Sequence, residues 1–217
     1  MLLVIEGIDG AGKSTVAALV ARRLGDRGHR GKKEVDETDT ATAVRVDALR
    51  DLIWNSPEAR RDGFGATHWI LLIAAWYAAL PRLRADLADD HPDVRVMDGW
   101  YYRNIVKTVI REPCDPAWVE SLFVTAPQPA LVVLLDLPPE VAWSRRPHFH
   151  ETELGRWDGF TGEPRASFVG YQERVRAGLL EMAADRGWLV LRLDATQTPD
   201  QIADIIIDHT IRREEQS

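Results

Sequence analysis

The chain is poor in cysteine, in basic charge and in long apolar runs, and each shortage excludes something. Cys114 stands alone among 217 residues, so no disulfide framework can form within the chain, and a reducing, cytoplasmic setting is expected. Twenty-seven Lys and Arg face 34 Asp and Glu, a net charge of −7. That balance argues against a nucleic-acid-binding face. The longest apolar stretch, residues 69–80, falls short of the ~20 residues that cross a bilayer and predicts a buried helix instead. No membrane partner is expected. A strand pattern begins at residue 2, and no secretory leader is expected. Internal repeats and long linkers are also missing, so residues 1–217 are expected to form a single domain. Tryptophan is plentiful, with eight residues, most of them expected in the core or in a pocket wall.

One stretch carries a specific signal. The apolar run Leu2-Leu3-Val4-Ile5 leads through Glu6 into Gly7-Ile8-Asp9-Gly10-Ala11-Gly12-Lys13-Ser14-Thr15. This is the G-x-x-x-x-G-K-[ST] phosphate loop, following a strand and opening a helix as it must. Its glycines let backbone N–H groups turn inward as an anion nest, and the helix adds its positive end. Lys13 is placed for the β- and γ-phosphates, and Ser14 for Mg²⁺. ATP and Mg²⁺ are therefore the expected cofactors.

Around that loop the periodicities alternate. Strands are predicted at residues 2–6, 33–37, 94–98, 131–137 and 189–194, the second of them weak. Helices are predicted at 13–24, 43–54, 67–87, 101–111, 117–125, 166–185 and 199–212, with a short one opening at Pro138-Pro139-Glu140. Residues 147–164 lack an apolar period and predict a lid, spanning about 144–165. The expected fold is α/β, of the P-loop NTPase type: a doubly wound, five-stranded parallel sheet with helices on both faces.

At this point the chain resembles the thymidylate kinase family. Its phosphate loop carries the Glu6 and Asp9 of that family's signature as well as the glycines. Residues 135–142 are similar to the family's strand before the lid, and 168–184 to its post-lid helix. Leu193-Asp194-Ala195-Thr196-Gln197 is similar to the loop that borders adenine. The resemblance implies that Gly7, Gly10, Ala11, Gly12, Lys13, Ser14 and Thr15 hold ATP with Ala195 and Thr196. It implies that Asp9 faces the acceptor sugar or a metal-bound water, and that Arg145 and Arg146 neutralise the phosphoryl group in flight, with Arg156 and Arg165 in reserve. It also implies a homodimer paired through helices, for which the apolar 69–80 helix is a candidate.

The acceptor side departs from the family pattern. Where an Asp-Arg pair is usual, the chain has Asp98-Gly99. Where an arginine-bearing loop ends the second strand, it has Asp36-Glu37-Thr38-Asp39. Where the long helix carries an arginine near the base, it has Tyr77. Arg103, Lys107, Arg82 and Arg84 are possible substitutes, and Asn104 stands where some members contact the base. Two acceptors therefore stay open. A nucleoside monophosphate such as dTMP needs fixed cations. A nucleoside or other hydroxyl compound needs a general base, for which Glu37 is first choice and Asp36 second. A nucleotide-binding regulator without chemistry is the third alternative. Trp54, Trp69, Trp76, Trp100, Tyr101 and Tyr102 are the expected candidates for a flat wall against a base, with Trp100 to Tyr102 first because they follow Asp98 at the strand's end. Asp98 is expected to share Mg²⁺ with Ser14 or to orient the acceptor, with Asp136 as runner-up for the metal.

Overall fold

Strand β1 (Leu2–Gly7) buries all six residues, as a strand must when helices cover both faces. The structure, a computed structural model, describes residues 1–25, 31–36, 38–55, 64–87, 93–146 and 148–214. After β1 come α1 (Lys13–Arg23), α2 (Thr40–Arg50) with a π-helical turn at Asp51–Asn55, and α3 (Ala66–Leu83). Next are β2 (Arg95–Asp98), α4 (Tyr102–Arg111), α5 (Pro116–Ser121) and β3 (Leu131–Asp136). The chain closes with α6 (Pro139–Ser144), α7 (Pro164–Arg186), β4 (Leu189–Arg192) and α8 (Pro199–Glu214).

The strands are parallel and ordered β2-β1-β3-β4. The chain leaves β1 toward β2, then crosses back to β3. Right-handed crossovers therefore put α1 and α4 on opposite faces. Helix α8 packs on α1, tied by Arg23 to Asp200 and Asp204, and α7 packs on α4, α6 and β3. The reversal of strand order opens a crevice at the C-terminal ends of β1 and β3, where such sheets bind ligands.

The sheet has four strands among the described residues, not the five expected. Residues 33–36 form no strand, and Glu37 lies outside the described residues. The reason is chemical: Lys32-Lys33-Glu34-Val35-Asp36 offers one apolar side chain, too little for a strand that must bury its faces. The segment is instead tethered to the end of α3. Arg84 donates to Gly31 O at 3.1 Å, Trp76 Nε1 to Lys32 O at 3.0 Å, and Asp36 N to Leu83 O at 2.8 Å. The apolar 69–80 run is indeed helical, and Trp69, Ile70, Trp76, Tyr77 and Leu80 face inward. No helix among the described residues is long and apolar enough to cross a membrane.

Candidate active site

The phosphate loop turns between β1 and α1 on Gly12, whose φ of +90° is a left-handed conformation costly to any other residue. Lys13 begins α1 but folds back over its own loop: Nζ donates to Gly7 O at 2.9 Å and Ile8 O at 2.6 Å. Burial, and then the nearby Arg103, lower its ammonium from 10.5 to about 7. On the neighbouring strand Asp98 Oδ2 accepts from Ser14 Oγ at 2.7 Å. These are hard oxygen donors, and magnesium takes one or two carboxylates plus substrate phosphates rather than a full protein cage. The pair fits that ion.

Asp9 is the centre of a second cluster. Its carboxylate accepts from Arg103, from Lys107 at 3.0 Å and from Gln172 Nε2 at 3.2 Å, while its backbone N–H donates to Gln172 Oε1 at 3.1 Å. Burial works against its charge, but Arg103, Lys107 and Lys13 outweigh it and hold the carboxyl well below the usual range.

A cavity of about 960 Å³ lies over these groups. It is lined by loop residues 9–16, by Lys32, Lys33 and Glu34, by Asp98, Arg103, Arg145, Arg146 and Glu153, and by Ala195 and Gln197. Arg145 donates to Asp194 O at 3.2 Å. Arg146 is held by Glu153 at 2.7 Å and covers the Phe149 ring. A smaller cavity of about 80 Å³ adjoins the Asp9 cluster, with Asn104, Lys107 and Arg111 of α4 facing Trp69, Trp157 and Tyr171. Arg103 thus faces the large cavity, and its neighbour on the helix faces the small one.

Several residues singled out from the sequence lie elsewhere. Tyr77, Trp100 and Tyr101 are core residues that line neither cavity. Their rings pack on one another, Tyr77 lying 4.8 Å from Trp100 and 5.5 Å from Tyr101 between ring centroids. Trp100 Nε1 is spent on Pro127 O, and Tyr101 donates its hydroxyl proton to Gln128. Asp36 accepts from Ala85 N at 2.8 Å and lines neither cavity. Asp136 is paired with Arg176 at 2.6 Å and lines neither cavity. Thr196 turns its hydroxyl back to Asp194, leaving Ala195 and Gln197 on the cavity wall. Arg156 ties its own segment together through Phe160 O, Gly162 O and Ser167 Oγ, and Arg165 is exposed.

Other residues of the site went unsingled in the sequence: Lys32, Arg111, Glu153, Trp157, Tyr171 and Gln172. Gln172 meets Asp9 across 163 residues of chain, a separation with no local signal.

A parallel sheet, a phosphate loop after its first strand and a cation-lined cavity at its carboxyl edge define a nucleotide-binding P-loop protein. The family model for thymidylate kinase matches residues 5–206. A probable thymidylate kinase of Methanothermobacter thermautotrophicus is 32% identical over 199 residues, covering 89% of this chain and 91% of its own length. The thymidylate kinase of Trichlorobacter lovleyi is 30% identical, covering 98% of both chains. The solved thymidylate kinase of Candida albicans superposes with a TM-score of 0.66 over all of this chain and 93% of its own, at 18% identity, a likeness of fold. The chain belongs to the thymidylate kinase family and is an ATP-dependent phosphotransferase.

Proposed function

We propose that the chain moves the γ-phosphoryl group of ATP onto the 5′-phosphate of a dTMP-like nucleoside monophosphate. One observation carries the choice of a phosphate over a hydroxyl acceptor. Lys13, Lys32, Arg103, Arg145 and Arg146 converge on one cavity, whereas the carboxylates that line it among the described residues, Asp9, Glu34, Asp98 and Glu153, are engaged. Asp9 is paired with Arg103 and Lys107, and Asp98 with Ser14. An acceptor dianion needs cations to offset its repulsion from the γ-phosphate, and no general base.

ATP lies along the loop with its base toward Ala195 and Gln197, and Lys13 leaves the Gly7 and Ile8 carbonyls for the phosphates. Ser14 and Asp98 would hold Mg²⁺, which would supply positive charge to offset that of the phosphates. The acceptor's base enters beside Asn104 and the aromatic rings of the small cavity, with Asp9 at the sugar. An acceptor phosphate oxygen then forms a bond to the γ-phosphorus as the bond to the β-bridging oxygen breaks, releasing ADP. Arg145 and Arg146 follow the moving charge, and lid closure keeps water out.

The test is ADP release with ATP, Mg²⁺ and a panel of nucleoside monophosphates beside the matching nucleosides. Turnover on the order of 1–10³ s⁻¹ with dTMP is expected. Turnover with thymidine but not dTMP would sink the reading.

A further inference from the structure

We propose that Lys32 is the cation that grips the acceptor's phosphate, entering from another part of the chain the space that Gly99 leaves empty; this rests on the nucleoside monophosphate reading above. Strand β2 ends at Asp98, and Gly99 then turns with φ +79°, its N–H held by Ile5 O at 2.8 Å. The next N–H, of Trp100, donates to Glu6 Oε1 at 2.6 Å. The turn is thus fixed, yet it carries no side chain into the site. A Cβ built on Gly99 would find Lys32 Nζ at 3.4 Å, Glu6 Oε2 at 3.7 Å and Lys13 Cε at 3.9 Å. The ammonium of Lys32 already stands where a basic side chain at position 99 would begin, next to the lysine of the phosphate loop.

Two further features show a placed group rather than a surface lysine. The main chain at 31–32 is anchored by buried side chains. Trp76 holds the Lys32 carbonyl, and Arg84, itself clamped by Asp86 at 2.9 and 2.5 Å, holds that of Gly31. The ammonium is also uncommitted: it makes no hydrogen bond or ion pair among the described residues, and Glu6 Oε2 has no hydrogen-bond partner among them. Burial, and then Arg103, lower Lys32 from 10.5 to about 8. The carboxylates of Glu6 and Asp98 oppose that shift without reversing it, so a phosphate arriving beside Lys32 would restore its charge.

The position also selects the acceptor rather than ATP. Arg145 lies over Gly12, 3.9 Å from a Cβ built there, and Ala195 and Gln197 continue the wall on that donor side. Lys32 Nζ stands instead beside Gly99 with Lys13 Cε, and the charge of Arg103 acts on it; Arg103 precedes the Asn104 and Lys107 of the small cavity.

The experiment compares wild type, Lys32→Met and Lys32→Arg in steady-state kinetics, varying dTMP and ATP separately, with calorimetric binding of dTMP and of thymidine. Lys32→Met should raise the KM for dTMP by ~10- to 100-fold, the worth of one hydrogen bond between charged groups. KM for ATP and the affinity for thymidine should hold within about threefold, and Lys32→Arg should recover most of the loss. If Lys32→Met lowers the unfolding midpoint, Lys32→Gln takes its place in every assay. An unchanged KM for dTMP in a variant that folds, or equal losses for ATP, dTMP and thymidine, overturns the role of Lys32 alone. A wild type that turns over no monophosphate overturns the reading beneath it as well, and does so before any variant is made.

Discussion

ATP binding should draw protons from solution at pH 8, and Lys13 should be the main reason. In the empty loop its Nζ is buried against the carbonyls of Gly7 and Ile8, and its ammonium is lowered from 10.5 to about 7. At about 1.4 kcal/mol per pH unit, charging it there costs roughly 5 kcal/mol more than in water. At pH 8 only about one molecule in ten then carries the charge. The phosphates of ATP restore the charged form, so binding should take up close to ~0.9 proton at pH 8 and almost none at pH 6. Affinity should fall as pH rises above about 7, by at most about tenfold per unit. The stability of the empty protein has the matching sign. Between about 7 and 10.5 the unfolded chain binds more protons through Lys13, so this lysine makes stability rise with pH across that window. Lys32, lowered to about 8, acts in the same direction above its own value. The assay is titration calorimetry at both pH values in two buffers of different ionisation enthalpy, whose difference counts the protons. Zero uptake at pH 8, or proton release, would refute the account of Lys13.

Asp9→Asn should cost about 2–4 kcal/mol in denaturant unfolding, because it leaves the half-buried Arg103 and Lys107 without their anion. In the wild type, Asp9 is held below 3.8, so its contribution is complete above that value and is lost as pH falls through the lower, folded one, which acid unfolding of wild type against Asp9→Asn will read. The two strand-end carboxylates should separate cleanly. Asp98→Asn should raise the magnesium concentration needed for half-maximal activity by about tenfold or more, as loss of one charged oxygen ligand implies. Asp136→Asn should lower the unfolding midpoint through Arg176 and leave the magnesium requirement unchanged.

What was legible in the sequence was local. The phosphate loop is contiguous, its strand and helix are adjacent, and the apolar runs of β1 and β3 admit no other reading. Strand ends could be found the same way, but not assigned. Asp98 and Asp136 look alike until Ser14 and Arg176 are seen to take one each. The acidic stretch after residue 33 could be read two ways, because charge density suits both a site and a tether. Asp36 spends its carboxylate on Ala85 N, and Glu37 lies outside the described residues. Of the aromatic candidates Trp69 lines the small cavity, and those named at the strand end do not. Tyr77, Trp100 and Tyr101 sit near the functional strand end, yet pack into one another. The rings that face Asn104 are Trp69 of α3, Trp157 and Tyr171 of α7, and only the folded chain brings those together.

The tether at the start of the 31–36 segment holds main-chain carbonyls: Trp76 takes that of Lys32 and Arg84 that of Gly31. A grip on carbonyls is indifferent to the side chain above it. Position 32 can therefore change residue type in the course of divergence while keeping its place beside Lys13. Heritable variation at one codon is enough to alter what meets the incoming ligand, with the scaffold that presents it left intact.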